Sequence, residues 1–103
     1  MSERGEIKRM GATPQKNSGR GKYQKGDAVL GAFVVDIKEY SKSYSVSRDS
    51  WAKICTDAIR VSKEKSPALQ LVLGDNVKTR LAVIEWSLFE EMQEVYDEWR
   101  ENQ

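Results

Sequence analysis

Asp27, Asp36 and Lys38 are the residues of this chain whose types and spacing are best suited to chemistry. Asp36 and Lys38 lie two apart within the apolar run Phe33-Val34-Val35-Asp36-Ile37-Lys38. Side chains alternate across a strand, so Val34, Asp36, Lys38 and Tyr40 share one face, and Phe33, Val35 and Ile37 share the other. Asp27 opens the preceding apolar segment, and in a hairpin its carboxylate comes within a few ångströms of Asp36 across the ladder. Two carboxylates so placed repel each other unless something neutralises them, and a divalent cation with oxygen ligands does so. Lys38, one strand period further along, reaches a water on such an ion. An Asp-x-Lys pair on a strand is equally what a solvated sheet face looks like, so the pattern gains weight only from its surroundings.

Other chemistry is narrowed by composition. The chain has 103 residues, no histidine and one cysteine, Cys55. An intramolecular disulfide, a cysteine-based zinc site and any Ser/His or Cys/His nucleophile are therefore excluded. Acid-base work would fall to carboxylates, lysines, tyrosines or a metal-bound water. With 39% hydrophobic and 32% charged residues the chain reads as one soluble globular domain. The longest uncharged apolar run, Ala28 to Val35, is too short to span a bilayer, and MSERGEIKRM lacks a signal-like apolar segment. A cytoplasmic protein without a membrane partner is the expectation.

The elements that must position the three residues follow from periodicity. A short helix is predicted over Glu3 to Met10, with Ile7 and Met10 on one side, ending at Gly11. Residues 11–26, with four of the seven glycines, read as a loop with a brief strand near Ala12 and Thr13. Asp27 to Leu30, a turn at Gly31, and Ala32 to Tyr40 form a predicted hairpin. Ser47 can cap a helix whose apolar positions Trp51, Ile54, Cys55, Ala58 and Ile59 make one stripe, with Pro67 as its stop. If this helix covers the Phe33, Val35 and Ile37 face through Trp51, Ile54 and Ile59, the charged face is simply wet. Leu69 to Leu73, a turn at Gly74-Asp75-Asn76, and Leu81 to Trp86 make a second hairpin. Ser87 and Glu90 read as a capping box for a last helix, its inner side formed by Leu88, Phe89, Met92, Val95, Tyr96 and Trp99. The order gives an α/β or α+β domain with a central mixed sheet flanked by helices.

Charge is unevenly spread although the net value is only +1. Residues 1–26 carry seven Lys/Arg against Glu3 and Glu6, whereas residues 86–103 carry Arg100 against six acids. A polyanion would be drawn to the first end and repelled by the second. Within the glycine-rich loop, Lys16, Ser18, Arg20, Lys22 and Lys25 offer amides and cations suited to the phosphates of a bent or branched backbone, and Tyr23 could stack on a base. A solvated loop has the same composition.

The run KNSGRGKYQKGDAVLGAFVVDIKEYSKSYSVSRDSWAKI resembles the PD-(D/E)xK nuclease superfamily, and within it small phage and archaeal Holliday junction resolvases and virus-type replication-repair nucleases. The matching parts are Ser18-Gly19, Lys25-Gly26-Asp27, the strand ending Asp36-Ile37-Lys38, and the serine-rich stretch from Ser45 to Trp51. Asp36 stands where glutamate is commoner, one methylene shorter. The resemblance implies a restriction-endonuclease-like core over residues 1–103. It implies that Asp27, Asp36 and the backbone carbonyl of Ile37 bind Mg²⁺ or Mn²⁺, with Lys38 positioning or deprotonating the attacking water. It further implies a glutamate from the first helix in the metal shell, Glu6 or, failing that, Glu3. Glu39 is left out, since alternation turns it to the other face, in solvent at the strand end.

The expected function is a metal-dependent, structure-selective DNA endonuclease, a resolvase of Holliday junctions or other branched DNA. Symmetric cutting needs two sites, so a homodimer is expected, through the last helix or the second hairpin. A nickase or restriction-like nuclease on duplex DNA uses the same chemistry. A catalytically silent DNA-binding adaptor is the alternative of another class. Trp51, Cys55, Met92, Tyr96 and Trp99 are expected in the core or a subunit interface.

Overall fold

The computed structural model describes residues 3–11, 13–14 and 28–103. Its elements run α1 (Glu3–Met10), β1 (Thr13–Pro14), β2 (Ala28–Leu30), β3 (Phe33–Tyr40), α2 (Arg48–Val61), β4 (Ser66–Leu73), β5 (Thr79–Val83) and α3 (Trp86–Glu101). The five strands form one sheet in the order β1-β2-β3-β4-β5. Only β3 and β4 pair in parallel, over the full register Phe33↔Ser66 to Tyr40↔Leu73; the other neighbours are antiparallel. This is a mixed α/β domain in which α2 is the crossover that parallel pairing requires. Among the described residues no helix is long and apolar enough to cross a membrane.

The β2–β3 hairpin turns at Gly31, whose φ of +56° suits a residue without Cβ, and pairs Leu30↔Phe33 through Ala28↔Val35. β3 then alternates as its sequence demands, and each face receives a different helix. Ile7 of α1 packs with Ala28, Val35, Ile37 and Ala68, joined by Met10, Phe33 and Ile84. On the opposite face Ile54 of α2 packs with Leu69 and Leu71, joined by Tyr44, Trp51 and Val83. Because Leu69 and Leu71 are the register partners of Asp36 and Lys38, α2 covers the side of the sheet that carries the charged pair. The condition under which the charged face would be wet, α2 over Phe33, Val35 and Ile37, is not met: the shorter α1 takes that side. Ile59, expected within the α2 stripe, is exposed.

The start of α2 follows its sequence closely. Ser47 Oγ accepts from the Ser50 amide at 3.0 Å, and Ser50 Oγ accepts from the Ser47 amide at 2.9 Å, closing a capping box with serine at both ends. Its end does not. The helix stops at Ser62, whose backbone is extended, and Pro67 lies inside β4 opposite Val34. A proline fits there because the Ser66 amide points to β3, bonding the Ala32 carbonyl, so the next nitrogen faces the β5 side. Pairing with β5 begins only at Leu69, and no ladder bond is lost.

The last helix departs most from expectation. It begins at Trp86 with Glu85 as its N-cap, no side chain caps it, and the Ser87–Glu90 box is not the start of the helix. None of its residues is buried, and Trp86, Phe89, Met92, Val95, Tyr96 and Trp99 are all exposed. The stripe is helical in spacing, but the described residues leave it exposed.

Candidate active site

Asp36 and Lys38 sit together in mid-sheet, on β3 beside its equally long parallel neighbour β4. Lys38 Nζ lies 3.5 Å from Asp36 Oδ2, with side-chain exposures of 35% and 13%. The residue between them, Ile37, is wholly buried on the α1 side. That burial pins the strand and holds both neighbours on the other side, where a one-residue slip would put two charges into the core. The carboxylate is thus largely sheltered, and the Lys38 side chain is the more exposed of the two. Chemically, the pair offers one hard anionic oxygen and one cation side by side, suited to a divalent ion and to a phosphate oxygen respectively.

Asp27, the intended partner of Asp36, lies outside the described residues, as do Lys16, Ser18, Arg20, Lys22, Lys25 and Tyr23. The described β2–β3 pairing reaches Val35, one residue short of Asp36. Glu3 opens α1, and its side chain is likewise outside the described set. Among the described residues no three acidic, histidine or cysteine side chains gather as a metal cluster. Of the ligands the resemblance implies, Asp36 and Ile37 are the ones described on β3.

Glu6 is elsewhere. Its carboxylate has no solvent exposure and is held by Arg80, whose Nε donates to Oε1 at 2.9 Å and Nη2 to Oε2 at 3.1 Å. Gln70 Nε2 and Arg9 Nε add weaker bonds to the same Oε1, at 3.3 and 3.4 Å. Gln70 is the register partner of Ile37, so this network lies on the α1 side of the sheet, across from Asp36 and Lys38. The expected place of Glu6 in a metal shell shared with Asp36 is revised accordingly: the sheet separates them, and three donors already occupy the carboxylate. The Arg80 hydrogen bond holds the Glu6 carboxyl below its ordinary range against the opposing effect of burial, with the Arg80 and Arg9 charges adding to it.

Glu39 is on the α1 side, as alternation requires, but not in solvent. Lys78 Nζ approaches its Oε2 at 3.1 Å, and both carboxylate oxygens are otherwise enclosed without a hydrogen bond. Lys78 also donates to the Gly74 carbonyl at 2.8 Å, tying the β4–β5 turn to β3. Sequence reasoning missed Arg80, Lys78 and Gln70. The one available signal was Gln70 itself, a polar residue amid Leu69, Leu71 and Val72, which had to find a partner once buried.

Comparison with protein-family models, with curated proteins and with solved structures finds no match to this chain.

Proposed function

We propose that this chain is a metal-dependent endonuclease that hydrolyses DNA phosphodiesters, selective for branched substrates such as Holliday junctions and built on a restriction-endonuclease-like core. The observation that carries the reading is the Asp36–Lys38 pair, fixed on one face of β3 by the buried Ile37, with a sheltered carboxylate 3.5 Å from the ammonium of a partly exposed lysine. Further support comes from the surrounding order, a hairpin followed by β3, a crossover helix and a parallel β4. The basic stretch of residues 1–26 is the natural side for a polyanion.

In this reading Asp36, together with Asp27 and the carbonyl of Ile37, would hold Mg²⁺ or Mn²⁺. Such an ion supplies counter-charge for the phosphate and makes water nucleophilic at neutral pH. Lys38 holds the attacking water, or a phosphate oxygen, by donating hydrogen bonds from Nζ. Lys16, Ser18, Arg20, Lys22 and Lys25 grip neighbouring phosphates, and nothing in this scheme uses Glu6. The occupation of Glu6 by Arg80 favours one second reading, an adaptor that binds DNA and does not cut it.

Labelled four-way junction, nicked duplex and linear duplex incubated with Mg²⁺, Mn²⁺ or EDTA separate the readings. Cleavage of the junction alone, dependent on metal, is the expected outcome. Asp36→Asn and Lys38→Ala each lower the cleavage rate about 100-fold or more while junction binding persists. Full activity in either variant removes the assigned roles. Binding without cutting under every condition selects the adaptor, and equal cutting of linear duplex selects a restriction-like nuclease.

A further inference from the structure

The strongest unexplained feature lies on α3, away from the Asp36–Lys38 pair. Phe89, Met92, Tyr96 and Trp99 follow the 3-4-3 spacing of a heptad seam, with Leu88 and Val95 beside it. Trp86, Phe89, Met92, Val95, Tyr96 and Trp99 are between 46% and 70% exposed. Met92, Val95, Tyr96 and Trp99, with Glu91, line an open groove of about 520 Å³. Charge is partitioned just as sharply. All six acids of the helix, Glu90, Glu91, Glu94, Asp97, Glu98 and Glu101, fall at the b, c and f positions, outside the a and d seam, with Glu91 at the rim of the groove. Arg100 is the only cation of the helix and falls at an e position, as does Trp86.

We infer that α3 pairs antiparallel with α3 of a second copy of this chain about a two-fold axis near Val95. Antiparallel packing sets a against d′, so Phe89 meets Trp99 and Met92 meets Tyr96 of the other copy, with Val95 beside its own equivalent. It also sets e against e′. Arg100, whose guanidinium already lies 5.8 Å from the centroid of its own Tyr96 ring, then also lies against the Trp86 ring of the other copy. A parallel arrangement would set Arg100 against Val95 and align the two helix dipoles unfavourably. No acid occupies an a, d, e or g position, so the carboxylates, Glu91 at the groove's edge included, stay at the rim of the antiparallel pair.

Other occupants fit less well. A nucleic acid or an anionic lipid surface would meet six acids and one cation on this helix. The helix is about 24 Å long at 1.5 Å per residue. Covering the exposed parts of its large side chains removes on the order of 600 Å² per copy from water, which reaches the lower edge of stable specific interfaces. The expected affinity is therefore in the micromolar range. The inference rests on α3 alone and stands or falls independently of the nuclease reading.

Sedimentation of the full chain over a concentration series tests it, with the double variant Met92→Glu, Tyr96→Glu as control. Both residues are exposed, so the variant keeps the helical circular dichroism of the parent. The parent is expected to shift to the mass of two chains while the variant stays at one. In a Cys55→Ser background, Val95→Cys is expected to cross-link to itself on mild oxidation more readily than Phe89→Cys. A parent that remains monomeric, a variant that still dimerises, or preferential cross-linking through Phe89→Cys overturns the pairing. So does a monomeric parent that instead co-sediments with uncharged phosphatidylcholine vesicles, which would make lipid the occupant.

Discussion

Asp36 and Lys38 are neighbours because the residue between them points the other way, and the same alternation removes Glu6 from their company. On its own side Glu6 is a buried anion whose stability contribution depends on Arg80. Its folded-state pKa is lowered, first by the Arg80 hydrogen bond, so the pair stabilises the fold above the ordinary glutamate pKa of about 4.3 and loses that contribution as pH falls through the lower folded value. Arg80→Met should therefore melt well below the parent at pH 7, with the gap narrowing as pH falls below the ordinary glutamate value towards the lowered folded one. Melting curves across that range check this, and a difference independent of pH would contradict the linkage. How much of this was legible before the structure depended on the residue. Alternation gave the shared face of Asp36 and Lys38 directly. Arg80 was hidden because its partner lies 74 positions away, and helical or strand periodicity carries no information about such pairs.

Elements were legible where local chemistry sets them and illegible where tertiary packing does. Ser47 had to cap α2, and it does. Pro67 looked like a helix stop because proline ends helices, yet a one-sided gap in the β5 pairing admits it to a strand. The α3 stripe was correctly amphipathic, but periodicity says only that a face wants cover, not which surface covers it. Gly74 is the residue on which the second hairpin turns most tightly. Its φ is +116°, and a Cβ there would run into the Val77 carbonyl oxygen. Its amide also donates to the Tyr40 carbonyl at 3.1 Å, locking the turn to the end of β3. Gly74→Ala should cost more than the roughly 1 kcal/mol of an ordinary glycine exchange. Urea denaturation measures it; an unchanged midpoint would mean the turn rearranges freely.

Across the whole molecule, charge and apolar surface are segregated. Cations concentrate in the first 26 residues and acids on α3, with the Asp36–Lys38 pair on the sheet between these stretches of sequence. If the chain binds branched DNA as proposed, the charge distribution disfavours contact through the acidic α3, and junction affinity should fall steeply with salt. If the five loop residues Lys16, Ser18, Arg20, Lys22 and Lys25 grip phosphates as proposed, exchanging Arg20 and Lys22 for alanine should lower the logarithmic salt slope by about 2. Filter binding at several salt concentrations reads this out, and an unchanged slope would move the DNA contact elsewhere on the surface.

The central claim is that Asp36 is a ligand of a divalent cation beside the Lys38 ammonium. Titration calorimetry of Mn²⁺ into the parent chain and into Asp36→Asn, both checked for intact folding by circular dichroism, addresses it most directly. The account predicts saturable uptake by the parent and its loss in the variant. Equal uptake by both, or none by the folded parent, would contradict it.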